Sequence, residues 1–474
     1  MSNEKIYLEL SEDDGVSHKF YEVTINGNDV TIRYGRIGTD GRASTKNYPT
    51  QEKANAEAQK QIKAKRKKGY ESAVMGERKK RPITRRQINS QKSKAKPAPV
   101  LWKFNSGASA FGIFINEDYC WIGNQDGSVF VLNHEAEVIN QYRLPDGVKC
   151  IVADTLWVYA GCDDGCVYDL TGKLPRVAYQ ISENVDIYWL DIHNGLLGVA
   201  DAGGTIMTAN HEDETLWQKK SQGSSGWMVR CDDDRVYHGH SGGVTSYSES
   251  GKMFWHTKDA KQVLFGWQEK LAVYAGTGTK KVYALTKKTG KVEQIYSCDA
   301  AVYSCAASED GEYVFAGDCY SSIYCFNKAG DRLWKLGTSC GSAYSMQYLN
   351  ERVYIVTTNG SLACIDASAE AIKAAETGII PKSKSIKAPK PIAVSKTKEL
   401  ETTSDPTQGV IVKCLNIKGK LRVRVLLEEY NPEWNVQFPR NLREEEALFI
   451  VDEIREAARG GFYRVYGNIR RFVP

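Results

Sequence analysis

Between residues 101 and 366 the chain is a succession of short apolar runs separated by glycine-bearing polar turns. Turns open at Gly123, Gly161, Ala200, Gly239, Gly276, Gly317 and Thr357, at spacings of 38, 39, 39, 37, 41 and 40 residues. Apolar runs such as 156–160, 271–275 and 313–316 precede a turn, and runs such as 129–132, 282–285 and 323–326 follow one. Runs of this length bounded by such turns predict paired strands. Several units add an outer strand marked by Leu216-Trp217, Phe254-Trp255 or Leu333-Trp334. Leu101-Trp102-Lys103-Phe104 has the same flavour but no unit precedes it, and its missing front half lies at residues 351–366. A chain that starts with the end of a repeat and finishes with its beginning is expected to close on itself. Residues 101–104 then pair with 362–365, and positions 100 and 368 come together, so that both flanking segments leave from one blade.

A period near forty with several short strands per unit predicts a β-propeller, with seven blades over residues 100–368. The run Lys281-Val282-Tyr283-Ala284-Leu285 with Thr289-Gly290-Lys291, and residues 322–334, resemble pyrroloquinoline-quinone-like repeats. Trp-Asp repeats are the alternative, although the Gly-His pair occurs once, at Gly239-His240, and the Trp-Asp dipeptide is not regular. Repeat resemblance does not imply the quinone. No clustered set of cations and carboxylates marks such a site, and no cofactor is expected.

The pattern changes before the repeats. Residues 20–25 and 29–34 alternate around Asn26-Gly27-Asn28 as a hairpin, and residues 42–48 follow a turn at 38–41. Thr50 then opens a helix whose stripe is Ala54, Ala58 and Ile62, ending in Lys63, Lys65, Arg66, Lys67 and Lys68 before Gly69. Tyr34-Gly35-Arg36-Ile37-Gly38, with Gly41-Arg42 and Lys68-Gly69-Tyr70, resembles the WGR domain, found in poly(ADP-ribose) polymerases and many bacterial proteins. The resemblance implies a small α+β domain, assigned here to residues 3–80, and nucleic-acid contact. Tyr34 stands where the family has Trp. Its ring can still stack on a base or sugar, and Arg36 suits a phosphate. Tyr34, Gly35 and Arg36, with Arg33, Arg42 and Lys46, are the candidate DNA-binding residues.

After the repeats, residues 369–408 start Ala/Glu-rich and helix-like to Glu376, then turn Lys/Pro/Ser-rich as a flexible linker. Residues 409–474 are expected to form a small α+β domain: a hairpin of 410–415 and 421–426, a helix over 443–459 with the stripe Ala447, Ile450, Val451, Ile454 and Ala458, and a strand at 462–466. Trp434, Arg440 and Arg464, with Arg470, are a candidate second polyanion or peptide site. The preferred alternative places Trp434 and Phe438 as caps on a small core.

Charge separates these parts. Residues 1–99 hold 22 Lys and Arg against 12 Asp and Glu, whereas residues 100–368 hold 22 against 32. A basic end suits a polyanion and an acidic body suits protein partners. Residues 81–99 are read as a basic linker, which in a eukaryote would also read as a nuclear-import signal. The start carries Glu4 and Glu9 and no apolar signal core, and no apolar run is long enough to span a membrane. The expected setting is therefore cytoplasmic, or nuclear in a eukaryote. The 12 cysteines lie mostly in strand-like runs, as small buried hydrophobes. Cys162 and Cys166, His238 and His240, and Asp232-Asp233-Asp234 form neither a metal-ligand set nor a catalytic pair. The chain as a whole is read as multidomain and mainly β. It is expected to be a non-enzymatic adaptor whose first domain meets DNA and whose propeller recruits a protein; a protein–protein scaffold without nucleic acid is the alternative.

Overall fold

The computed structural model describes residues 4–11, 18–36, 42–72, 92–181, 187–201, 203–393 and 400–474. The chain divides into two units, an N-terminal one to Arg86 and a second that holds the remaining elements.

The N-terminal unit is an antiparallel sheet with one helix. Its strands are β1 (Glu4–Ser11), β2 (His18–Asn26), β3 (Asp29–Arg36), β4 (Arg42–Asn47) and β5 (Glu71–Ser72), in the order β4-β3-β2-β1-β5. Strand β1 precedes the hairpin expected at 20–34 and adds to it, with Ile6, Leu8 and Leu10 alternating along it. Helix α1 (Gln51–Arg66) is capped by Thr50, whose hydroxyl accepts from the Lys53 amide at 3.3 Å. Ala54, Ala58 and Ile62 face the sheet, and two alanines let the helix sit close over Leu8, Tyr21, Val23, Ile25 and Val30.

In the second unit, seven sheets follow one another along the chain among the described residues. Their innermost strands are Ala110–Ile115, Val148–Asp154, Ile187–His193, Met228–Cys231, Val263–Gln268, Val302–Ala307 and Ala343–Leu349. Each packs on the next and the last returns to the first, which gives the propeller arrangement. Several glycines read as turn openers lie instead inside second strands, Gly123 in Cys120–Asn124 and Gly239 in Arg235–His240. They serve blade-to-blade packing: a Cβ on Gly239 would stand 2.5 Å from Val263 Cγ1 of the following blade.

The last sheet is completed from the front of the chain. Strand β6 (Val100–Asn105) pairs antiparallel with Ser361–Asp366, setting Phe104 opposite Leu362 and Trp102 opposite Cys364. The segment expected to be a flexible linker is partly built into this blade. Helix α2 (Ala369–Thr377), capped by Ser368 and closed by Gly378 in the left-handed conformation, buries Ile372 and Ala375. Lys384–Lys387 then runs parallel to β6 and covers its outer edge. On the other side, the Ala98 amide donates to the Gly337 carbonyl at 2.9 Å, so the end of the basic linker lies along the preceding blade.

The C-terminal part corrects the α+β expectation. No helix lies at 443–459: Leu448–Glu456 is a central strand between Val410–Ile417 and Phe462–Phe472. A bulge between Val451 and Glu453 shifts the register, so the core positions fall at Phe449, Val451 and Ile454. That mixed spacing imitates a helical stripe, while pairing on both sides holds the segment extended.

All 12 cysteines are free, and most are buried in strands. Among the described residues no helix is long and apolar enough to cross a membrane, and no cluster of His, Cys, Asp and Glu is placed to hold a metal. His238 is fully buried, neither ring nitrogen has a hydrogen-bond partner among the described residues, and burial pulls its pKa down to about 3. Burial likewise lowers His240 to about 4 and His211 to about 4. Because the folded pKa lies below the unfolded value, stability is full above about pH 6.5 and falls as pH drops toward the folded values, by up to about 1.4 kcal/mol per pH unit per histidine. His238→Leu should therefore leave Tm nearly unchanged at pH 7 and raise it at pH 5. Parallel melts at the two pH values check this, and an equal shift at both would contradict it.

Candidate nucleic-acid interface

In the N-terminal sheet, residues directly opposite across strands share a face. Tyr34 is opposite Tyr21 and Arg42, and Lys46 is opposite Val30, so Tyr34, Arg42 and Lys46 lie on the face that carries α1. Arg33 lies on the other face. It holds Glu22 through two hydrogen bonds of 3.1 and 3.0 Å and covers the Phe20 ring at 5.1 Å. Lys5 reaches the same carboxylate at 3.0 Å, and these cations hold the Glu22 pKa down against its burial. The predicted set is thus divided, with Arg33 engaged in a structural network.

On the helix face, the Tyr34 ring is 47% exposed and stacks on the buried Tyr21 at 6.4 Å. Tyr21 in turn meets Tyr70 edge-on at 6.3 Å. An exposed ring backed by a buried one is a firm platform, because its rotamer is already fixed by packing. Lys65 Nζ lies 4.4 Å from the Tyr21 ring centre and 5.2 Å from that of Tyr70. Burial, then the like charges of Lys68 and Lys19, push the Lys65 pKa down. Such crowding of cations is relieved by an incoming anion. Lys46 lies over the Tyr48 ring at 5.2 Å, and the Arg42 side chain is exposed. Gly35 is paired with Phe20 and Arg36 with Lys19 along the backbone; the Arg36 side chain and residues 37–41 lie outside the described residues.

Tyr21, Lys65 and Tyr70 join this cluster without having been singled out as contacts. The signal lay in the helix-end lysines, which read alone as a solvated terminus. Only the fold carries Lys65 onto Tyr21, which is distant in sequence, beside its near neighbour Tyr70.

The second candidate site is divided: Arg464 is taken up by docking onto the propeller, while Trp434 and Phe438 pack into the core of the C-terminal sheet and Arg470 pairs with Asp452 within it. Arg464 is 2% exposed and ion-paired with Asp154, 3% exposed, beneath the Trp157 ring. Arg440 lies 3.8 Å from Asp213, and Trp434 packs against Tyr463 at 5.1 Å. Arg443 and Arg422 meet Glu212 at 2.5 and 3.2 Å, Arg422 and Lys420 meet Glu214 at 2.6 and 2.9 Å, and Arg459 reaches Asp233 at 2.6 Å. The acidic propeller thus serves as counter-surface for the basic C-terminal sheet. Desolvation nevertheless raises the Asp213 pKa to about 6, while the Arg422 hydrogen bond lowers that of Glu214 to about 2.

Residues 4–77 match the WGR domain family. A stretch of 58 residues is 38% identical to the uncharacterized protein YfeS of Escherichia coli (strain K12), covering 12% of this chain and 24% of that protein. The chain thus spans about a quarter of the length of that curated relative. The WD40 beta propeller domain of Doa1 superposes over 58% of this chain and 98% of its own, with a TM-score of 0.51 and 10% identity, a likeness of fold. The molecule therefore joins a WGR domain to a propeller, two kinds of module suited to binding.

Proposed function

We propose that this chain is a non-enzymatic adaptor that holds DNA through its WGR domain and a protein through its propeller. The observation that carries the first half is the Tyr34 ring, exposed on Tyr21, with Arg42 opposite it, Lys65 over Tyr21 and Lys46 farther along the same face. A base or terminal sugar stacks on Tyr34 while the cations, with Arg36, take the flanking phosphates. A stacked base is worth about 1–3 kcal/mol, so Tyr34→Ala should weaken binding by roughly five- to 150-fold in a gel shift at low salt. Arg36→Ala should weaken it as well and reduce its sensitivity to salt. Wild-type affinity in both variants would overturn the assignment. No DNA affinity in the wild-type chain at low salt would leave the protein–protein scaffold as the function.

A further inference from the structure

A cleft of about 880 Å³ opens between the propeller and the C-terminal sheet, within one unit of the chain. Pro145, Leu174, Pro175, Val177, Leu400 and Leu442 supply its apolar surface. Leu174 is 49% exposed and adds its side chain to this apolar lining. Arg143, Lys173, Arg176, Arg470 and Arg471 line the same cleft, against one acidic lining residue, Glu401, among the described residues. Arg176, Arg470 and Arg471 hold Asp169, Asp452 and Glu444, while Arg143 donates to the Ser128 hydroxyl at 2.7 Å. Arg143 and Lys173 thus bring positive charge to an opening in a body where acids outnumber bases.

We propose that this cleft takes an extended peptide of a partner protein in which apolar and acidic side chains alternate. Successive residues of an extended chain point to opposite sides, so one set can cover Leu174, Val177 and Leu442 while the other reaches Arg143 and Lys173. Volume and position suit such an occupant, since clefts of several hundred Å³ between domains are where ligands bind. Nucleic acid is the poorer fit. The lining aromatic, Tyr168, is 8% exposed and its hydroxyl donates to Asp164 at 2.5 Å, so it offers no stacking platform. This inference rests on the protein-recruiting half of the adaptor reading and names the partner's chemistry.

The test is an array of short random-sequence peptides probed with the full-length chain and with the double variant Lys173→Glu, Leu174→Asp. Both substituted side chains are exposed, so the fold should tolerate them. Peptides rich in alternating Glu or Asp and Leu, Ile or Val should be retained by the wild-type chain and lose at least tenfold in affinity with the variant. Retention of basic peptides, no selective retention, or retention indifferent to the double substitution would overturn the proposal. A gel shift with the same variant separates the two readings. DNA affinity should be untouched, and its loss together with a blank array would make the cleft a nucleic-acid surface. Failure at Tyr34 would leave the array result standing.

Discussion

Arg464→Ala is expected to destabilise the second unit by about 3–5 kcal/mol, the scale seen when one member of a buried ion pair is removed. Arg464 is 2% exposed and Asp154 3%, so alanine leaves a carboxylate in a dry interface. Asp154 keeps the amides of Asn194 and Gly195, at 3.0 and 2.7 Å, but no other cation is paired with it among the described residues. The guanidinium also fills space between Trp157 and Phe462, 4.8 and 5.2 Å from their ring centres, so packing is lost with the charge. Pairing Arg464→Met with Asp154→Asn should cost less than Arg464→Ala alone, because no charge is stranded. Urea unfolding of the three chains measures this. A loss below about 1 kcal/mol for Arg464→Ala would show that the pair does not hold the C-terminal sheet in place.

The second large effect is expected at the closing strand. Phe104 is fully buried against Phe130 at 5.3 Å, and Trp102, 6% exposed, donates its indole to the His134 carbonyl at 3.0 Å. Each truncation of such an aromatic costs about 3–5 kcal/mol. The double variant Trp102→Ala, Phe104→Ala should therefore remove most of the stability of an ordinary domain, about 5–15 kcal/mol. Calorimetry should show the propeller transition lowered or lost, with the N-terminal unit melting as before. A chain starting at Asn105, which lacks the N-terminal unit, should show the same loss in the propeller transition, and an unchanged propeller transition in either would contradict closure through this strand.

The closure was legible because a repeat leaves a remainder: Leu101 to Phe104 matches outer strands that other blades supply from their own units. Helix α1 was legible for a similar reason, its stripe Ala54, Ala58 and Ile62 being undisturbed by neighbours. The strand Leu448–Glu456 was not, since the bulge at Asp452 sets core residues at intervals a helix would also use. Lys384–Lys387 carries a single apolar residue, Ile386, and is a strand because β6 offers it an open edge. Arg464 read as a free cation beside a tryptophan loop, whereas its partner Asp154 lies 310 residues away in sequence. Pairing at that distance leaves no local trace. In the WGR domain the motif picked out Tyr34, and the alternation of residues 29–34 already set Arg33 on the opposite face; its partner Glu22 became visible only through the register of β2 on β3.

The central claim is that the Tyr34 face of the WGR domain meets DNA. Its most direct test is the slope of log binding constant against log salt for the full-length chain on a short duplex, compared with Arg42→Ala, Lys46→Ala. The wild-type chain should show a steep negative slope, and each phosphate contact removed should reduce that slope by about 0.9. A wild-type slope near zero, or one that the double substitution leaves unchanged, would contradict the account.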